Sequence, residues 1–180
     1  MIMHRLASLR ADNRGAAVIE MAMVAPVLAL CVIGIVDISN AFSKQLALEQ
    51  GAQRAVEKIM NTTETATVES TLANEVQCQV NGSTTSGGVQ TCNTSGTQAI
   101  TVNWRLDCTV GGTTTSQTTT TSATYDTWVQ NCTTANGVKA GYVSVTVTDK
   151  YTPLFPIHFA SFNTSDSTYH LTATAGVRTL

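Results

Sequence analysis

Residues 14–42 read RGAAVIEMAMVAPVLALCVIGIVDISNAF, a run that sets the architecture of the whole chain. Between residues 16 and 36, only Glu20 can carry a charge. A helix needs about 20 apolar residues to cross the ~30 Å hydrocarbon core of a bilayer, so residues 16–36 are long enough to span it. The sequence therefore predicts one transmembrane helix close to the N-terminus.

The two flanks of the predicted span, residues 16–36, carry opposite charges. Asp37 follows it directly, whereas three arginines and one acid precede it: Arg5, Arg10, Arg14 and Asp12. Because basic residues are retained on the cytoplasmic side of a membrane, we expect the N-terminus in the cytoplasm and residues 37–180 on the opposite side.

Two residues within the run depart from a purely apolar span. Glu20 lies about four helical rises inside Ala16. A carboxylate costs roughly 2.5–3.5 kcal/mol at the centre of a span and less near its edge, so such a residue usually has a partner or a task. Pro26 removes one helical hydrogen bond and favours a kink. A simple signal anchor is the alternative explanation, but we expect Glu20 and Pro26 to serve packing between helices.

The spacing at the start of the run resembles a known cleavage site. Gly15 follows a short basic leader, and Glu20 is the fifth residue after it. This arrangement is similar to that of type IV prepilins. The fuller string RGAAVIEMAMVAPVL resembles the start of the TadE-like family of Tad (Flp-type) pilus assembly proteins. A similar aromatic, proline-containing segment occurs in the C-terminal part of that family, here residues 151–159.

The resemblance implies a function as well as a fold. A prepilin peptidase would cut after Gly15 and leave a charged amine on Ala16, with which Glu20 of a neighbouring subunit could pair. The protein would be a minor pilin or pseudopilin, because major Flp-type pilins are much shorter chains. Its partners would be the inner membrane, the peptidase, other pilin-like subunits and the Tad assembly machinery.

Composition argues against several other classes of protein. The net charge is −2, and loss of residues 1–15 leaves seven basic against eleven acidic residues, a charge of −4. No basic patch suited to nucleic acid is present. The histidines, His4, His158 and His170, are far apart, and no metal-ligand, phosphate-loop or nucleophile motif occurs. We therefore expect no enzyme, cofactor, metal or small-molecule substrate.

Four cysteines follow the span, namely Cys78, Cys92, Cys108 and Cys132. An even number of cysteines outside the cytoplasm predicts disulfides, and a zinc site is disfavoured because no pair has two-residue spacing. Three pairings are possible. Closure of the shorter loops favours Cys78–Cys92 and Cys108–Cys132, each contributing about 3 kcal/mol on the chain-entropy account.

The helix should continue beyond the membrane to Met60. Its apolar residues recur at helical intervals and form one stripe, with Phe42 and Val56 on the margin: Ala41, Leu48, Ala52, Ala55 and Ile59. This stripe predicts a helix whose outer half covers a small domain. Asn61 to Glu64 resembles a capping box, and Val68, Leu72 and Val76 indicate a short second helix.

The remaining sequence favours strands. Alternating apolar residues predict three of them, around Ile100–Leu106, Val143–Val147 and Leu171–Val177, with a weaker strand over residues 124–130. Residues 111–122 (GGTTTSQTTTTS) predict a mobile hairpin loop. Residues 151–159 (YTPLFPIHF) predict a stiff crossover that buries against the sheet, with a docking surface for another subunit as the alternative. The expected class is α+β, an antiparallel sheet packed on the outer half of a long helix.

The predicted organisation has three parts: a leader at residues 1–15, a helix at residues 16–60, and a β-rich extracytoplasmic domain at residues 61–180. The family resemblance implies a single-pass inner-membrane protein with a periplasmic domain, which would reach the pilus or cell surface after assembly. The alternative is an uncleaved membrane protein whose helix anchors an interaction or adhesin domain. The N-terminal residue of the mature chain separates the two hypotheses.

Overall fold

The computed structural model describes residues 14–61, 69–86, 89–155 and 162–180. The elements follow one another as α1 (Arg14–Asn61), α2 (Glu69–Asn81), β1 (Ser83–Ser86), β2 (Val89–Cys92), β3 (Ala99–Val110), β4 (Thr113–Thr119), α3 (Ser122–Thr134), β5 (Val138–Tyr151), β6 (Phe162–Asn163) and β7 (Thr168–Arg178). A long apolar N-terminal helix followed by an antiparallel sheet confirms the predicted α+β class.

Helix α1 contains 48 residues and is about 72 Å long at 1.5 Å per residue. It runs through Pro26 without interruption. Its outer half carries the predicted stripe, of which Leu48, Ala52, Ala55 and Ile59 are buried. Phe42, expected on the margin of that stripe, is 66% exposed, and Leu46, one turn further along the same side, is 54% exposed, so the domain leaves this side of α1 uncovered.

The main sheet has five antiparallel strands in the order β4-β3-β5-β7-β6. β5 lies at its centre, and register places Val102 and Ala175 on either side of Val145. β1 and β2 form a separate hairpin that no sequence pattern predicted. The three predicted alternating strands all lie within β3, β5 and β7.

The core lies between α1 and one face of this sheet. Val143, Val145 and Val147 of β5 are at most 1% exposed, and α1 packs against β5 and β7. The outer half of α1 thus buries the apolar face of the sheet that the alternating pattern predicts. α2 occupies the place of the predicted second helix and buries Leu72 and Val76 against the same core.

Gly51 allows the two N-terminal helices to approach closely. A Cβ at this position would lie 3.0 Å from Cγ2 of Val80 and 3.3 Å from Cγ1 of Val76. These distances are tighter than ordinary van der Waals contact, so a larger residue at position 51 would push α2 away from α1.

Two predictions about the middle of the chain were wrong. The weak strand expected over residues 124–130 is helix α3, in which Tyr125 and Cys132 are buried. Tyr125, Val129 and Cys132 recur at intervals of four and three, which places them on one helical face. This face packs against β3, where the Tyr125 ring lies 5.4 Å from that of Trp104.

The threonine-rich segment is a strand rather than a mobile loop. Gly111 and Gly112 form a two-residue turn with φ of 58° and 82°, conformations that glycine adopts at little cost. The chain then pairs with β3 as edge strand β4, because β-branched threonines suit an exposed strand. As expected, β4 adds no residue to the core.

The predicted crossover at residues 151–159 is described as far as Phe155. Leu154 and Phe155 are 64% and 38% exposed, so the expected burial against the sheet is wrong for both. The Leu154 amide is instead bound by Asp37 of α1, which holds the chain beside the helix. Residues 156–159, like residues 1–13 of the leader and most of the capping box, lie outside the described residues.

Candidate functional site

The inner half of α1 is an apolar rod that the described part of its own domain does not cover. Its most apolar 18-residue window is 0% buried, and α1 is the helix of the described chain long and apolar enough to cross a membrane. Its exposed side chains lie all around the helix, and include Val18, Ile19, Met21, Met23, Val24, Val27, Leu28, Leu30, Val32, Ile35 and Val36. A buried core helix would not show this exposure, which is typical of a helix that contacts a membrane or other helices.

The residues singled out at the start of this rod all lie on α1. Gly15 and Ala16 fall in its first turn. Glu20 follows Ala16 by four residues, a spacing that places both on one face of the helix, and it is exposed. About 25 Å of helix separates Glu20 from Asp37, the first buried residue after it on α1. The described residues of the sheet domain therefore provide no partner for Glu20.

A cluster of hydrogen bonds attaches the sheet domain to α1 where the rod ends. Asp37 is 7% exposed, and its carboxylate accepts hydrogen bonds from the Tyr151 hydroxyl and from the Leu154 amide, the latter at 3.0 Å. Burial, together with the hydrogen bond to Asp37 and its negative charge, raises the pKa of Tyr151 to about 12. The phenol therefore remains a proton donor at any physiological pH.

A second attachment lies two turns further along α1. Lys44 Nζ lies 3.1 Å from Asp149 Oδ2 and donates to the Lys150 carbonyl at 2.7 Å. Asp149 is 3% exposed and also accepts hydrogen bonds from Thr97, Gln98 and the Lys150 amide. Burial opposes the charged form, but these hydrogen bonds outweigh it and hold the pKa of Asp149 below its usual value.

Sequence reasoning missed both attachments. Asp37 was noticed only as a flanking charge, and Tyr151 only as the start of a loop. The sequence does contain a chemical signal for both attachments. Asp37 directly follows an apolar run, and Asp149 lies at an inward position of a valine-alternating strand. Acids in such places need partners. The sequence does not say which partners, because 114 residues separate Asp37 from Tyr151.

The four cysteines of the domain are paired as disulfides. Cys78–Cys92 joins α2 to β2 with a Cα–Cα distance of 4.6 Å, and Cys108–Cys132 joins β3 to α3 with a distance of 6.0 Å. These are the pairs that closure of the shorter loops favours. In the part of the chain that the structure describes, no three His, Cys, Asp or Glu side chains form a group suited to a metal ion.

Comparison with known proteins found a similarity, which falls on helix α1. A family model described as TadE-like protein matches residues 15–57, a segment that lies within α1. This match confirms the resemblance found from the residues around Gly15 and Glu20. Neither the curated proteins nor the solved structures gave a match to the chain.

Proposed function

We propose that this chain is a pilin-like structural subunit, a minor pilin or pseudopilin, of a Tad (Flp-type) pilus. One observation carries the proposal: α1 is buried by its own domain at one end and exposed and apolar all around at the other. The TadE-like match covers both halves of this helix, and TadE-like proteins are structural components of pili rather than enzymes. A subunit that assembles through its helix needs this division between the two halves.

Processing by a prepilin peptidase is the first step of the proposed function. Cleavage after Gly15 removes the basic leader and makes Ala16 the N-terminal residue, with a positively charged amine. Before cleavage, the leader holds the N-terminus in the cytoplasm, and the single span of residues 16–36 in the inner membrane places the domain of residues 61–180 in the periplasm.

Assembly then uses the charge created by cleavage. The Ala16 amine of one subunit pairs with the Glu20 carboxylate of its neighbour as the exposed helices pack together. A carboxylate left alone in this apolar surrounding is penalised, whereas one paired with an amine fixes the register of adjacent helices. The Tad assembly machinery and other pilin-like subunits are the partners in this step.

The test is the N-terminus of the mature protein. The chain is expressed with and without a prepilin peptidase, and intact mass and N-terminal sequencing are measured. We expect Ala16 as the first residue only when the peptidase is present. Gly15→Leu should block cleavage, whereas Gly34→Leu is the matched control, because no atom lies within 4 Å of a Cβ built at Gly34.

A mature chain that retains residues 1–15 in the presence of an active peptidase would contradict the proposal. That result would favour the alternative function, a membrane-anchored domain that binds or adheres outside the cytoplasm without entering a fibre.

A further inference from the structure

Leu154 and Phe155, called here the boundary segment, lie beside the point where the apolar run of α1 ends. The Leu154 amide donates to Asp37 Oδ1 at 3.0 Å, and Tyr151, at the end of β5, donates to the same carboxylate. Asp37 directly follows Val36, the last residue of the predicted span. The boundary segment is therefore held at the level at which α1 leaves the hydrocarbon.

Both side chains of the boundary segment are apolar and exposed. Leu154 is 64% exposed and Phe155 is 38% exposed. On α1, Ile38 next to Asp37 is 41% exposed as well. Exposed apolar surface costs about 25 cal/mol per Å² relative to burial, so apolar residues beside a predicted membrane span favour contact with lipid over water.

The opposite end of the domain gives a comparison within the same molecule. Val138 begins β5 and is 74% exposed, but β5 is about 43 Å long and carries Val138 away from the Asp37 attachment. Exposed apolar residues thus occur at both ends of β5. The hydrogen bonds to Asp37 hold the end near Leu154, and not the end at Val138, beside the end of the predicted span.

We infer that the boundary segment inserts into the lipid surface of the leaflet that faces the domain, beside the α1 of the same chain. This inference rests on the membrane insertion included in the proposed function. Lipid is the occupant because the segment adjoins the span within a single subunit, before any neighbour is present. Asp37 does not oppose insertion, because its carboxylate already accepts two hydrogen bonds and is nearly inaccessible. Tyr151 at this level is also typical of a membrane–water interface.

The inference has a structural consequence for the subunit. Because α1 at Asp37 and the chain after β5 both meet the bilayer, the domain has two contacts with the membrane surface rather than one. Two contacts restrict rotation of the domain about the point where α1 emerges.

The test measures the depth of single labelled positions in lipid. The full chain carries Cys31→Ala and one new cysteine, Leu154→Cys, Phe155→Cys, Val138→Cys or Leu28→Cys, labelled with bimane without reduction of the disulfides. Each variant is placed at one chain per lipid nanodisc, with ordinary or brominated acyl chains. Labels at Leu154 and Phe155 should emit at shorter wavelength than the label at Val138 and lose intensity in brominated lipid, as the Leu28 label in the span should.

Three results would overturn the inference in distinguishable ways. Quenching at Leu28 with water-like emission at Leu154, Phe155 and Val138 would reject the boundary contact and leave the span intact. Absence of quenching at Leu28 would reject the span itself, and with it the membrane insertion in the proposed function. Protection of Leu154 and Phe155 only when two chains share a disc would assign the segment to a second copy of this chain.

Discussion

Glu20 is the one acidic residue on the exposed apolar rod of α1, and a carboxylate is unfavourable in lipid. It sits on an apolar helix surface about 25 Å from Asp37, the nearest buried acid among the described residues. Within the proposed function, its partner is the amine of a neighbouring subunit. A group whose role is to pair between subunits should matter to assembly and little to the folding of its own domain.

We expect Glu20→Ala to leave membrane insertion and peptidase cleavage intact and to reduce piliation strongly. The physical reason is loss of the pair that fixes helix register, while removal of a carboxylate from an apolar segment cannot impair insertion. The measurement is pilus yield in cells, with membrane fractionation of the variant. Glu57→Ala, an exposed acid on the outer half of α1, is the control. Normal piliation in the Glu20 variant would remove the role proposed for this residue.

Tyr151→Phe should lower the free energy of unfolding by about 1–3 kcal/mol, the usual cost of leaving a buried polar group without its partner. The change removes only the hydroxyl that donates to Asp37. Denaturant unfolding in detergent measures the effect. Tyr142→Phe, at an exposed tyrosine on the same strand, should be nearly neutral. Equal stability of the two variants would mean that the hydrogen bond from Tyr151 to Asp37 contributes nothing to stability.

At the scale of elements, sequence reasoning succeeded where burial of one face dictates a period. The valine alternation of β5 and the helical stripe of α1 predict both elements because each buries one side against the other. It failed at α3, where threonines and two aromatics at residues 124–128 resemble a strand. Only the helical spacing of Tyr125, Val129 and Cys132 separates the two structures, and three residues are a weak signal.

The residues of the candidate site differ in how far sequence can reveal them. Gly15, Ala16 and Glu20 lie within six residues of one another, so their spacing can be recognised as a motif, and their role stays a prediction. The Asp37–Tyr151 and Lys44–Asp149 pairs join residues more than 100 positions apart. Local patterns cannot predict such pairs because the partner is chosen by how α1 packs on the sheet. Strand β4 was missed for a related reason, since its strand pairing is with β3 and its own sequence shows no apolar alternation.

The Cys108–Cys132 disulfide holds α3 against β3, and its removal should destabilise that part of the domain. A double variant, Cys108→Ala with Cys132→Ala, should lose about 3 kcal/mol of unfolding free energy, because the closed loop of 24 residues no longer restricts the unfolded chain. Hydrogen exchange should show greater opening of α3 than of β5. The matching Cys78→Ala, Cys92→Ala variant should instead open the β1–β2 hairpin. Loss of protection throughout the sheet in either variant would contradict this local assignment.

For the whole molecule, the Lys44–Asp149 attachment makes α1 and the sheet a single unit. Because the pKa of Asp149 is lowered in the folded protein, its stabilising contribution is present above the ordinary carboxyl value near 3.8. It is lost as pH falls below that value and the group becomes protonated.

We therefore expect Asp149→Asn to be less stable than the parent protein at neutral pH, with a difference that shrinks as pH falls below about 4, within the usual titration range of a carboxyl group. Unfolding by denaturant at a series of pH values measures this. Asp126→Asn, at an exposed position of α3, is the control and should be as stable as the parent protein at neutral pH. A constant difference between Asp149→Asn and the parent would show that the ionised form has no special stabilisation.

The unbroken course of α1 through both halves of the protein also has a mechanical consequence. Tension applied between the membrane or fibre and the domain would enter through the backbone of one helix and meet the sheet along the packed side chains from Leu48 to Ile59. Because α1 is continuous, its two halves would bear the tension together. Pulling α1 away from the sheet along the helix axis would then require many side-chain contacts to break at once rather than one after another. A subunit built this way would resist pulling far better than its small size suggests.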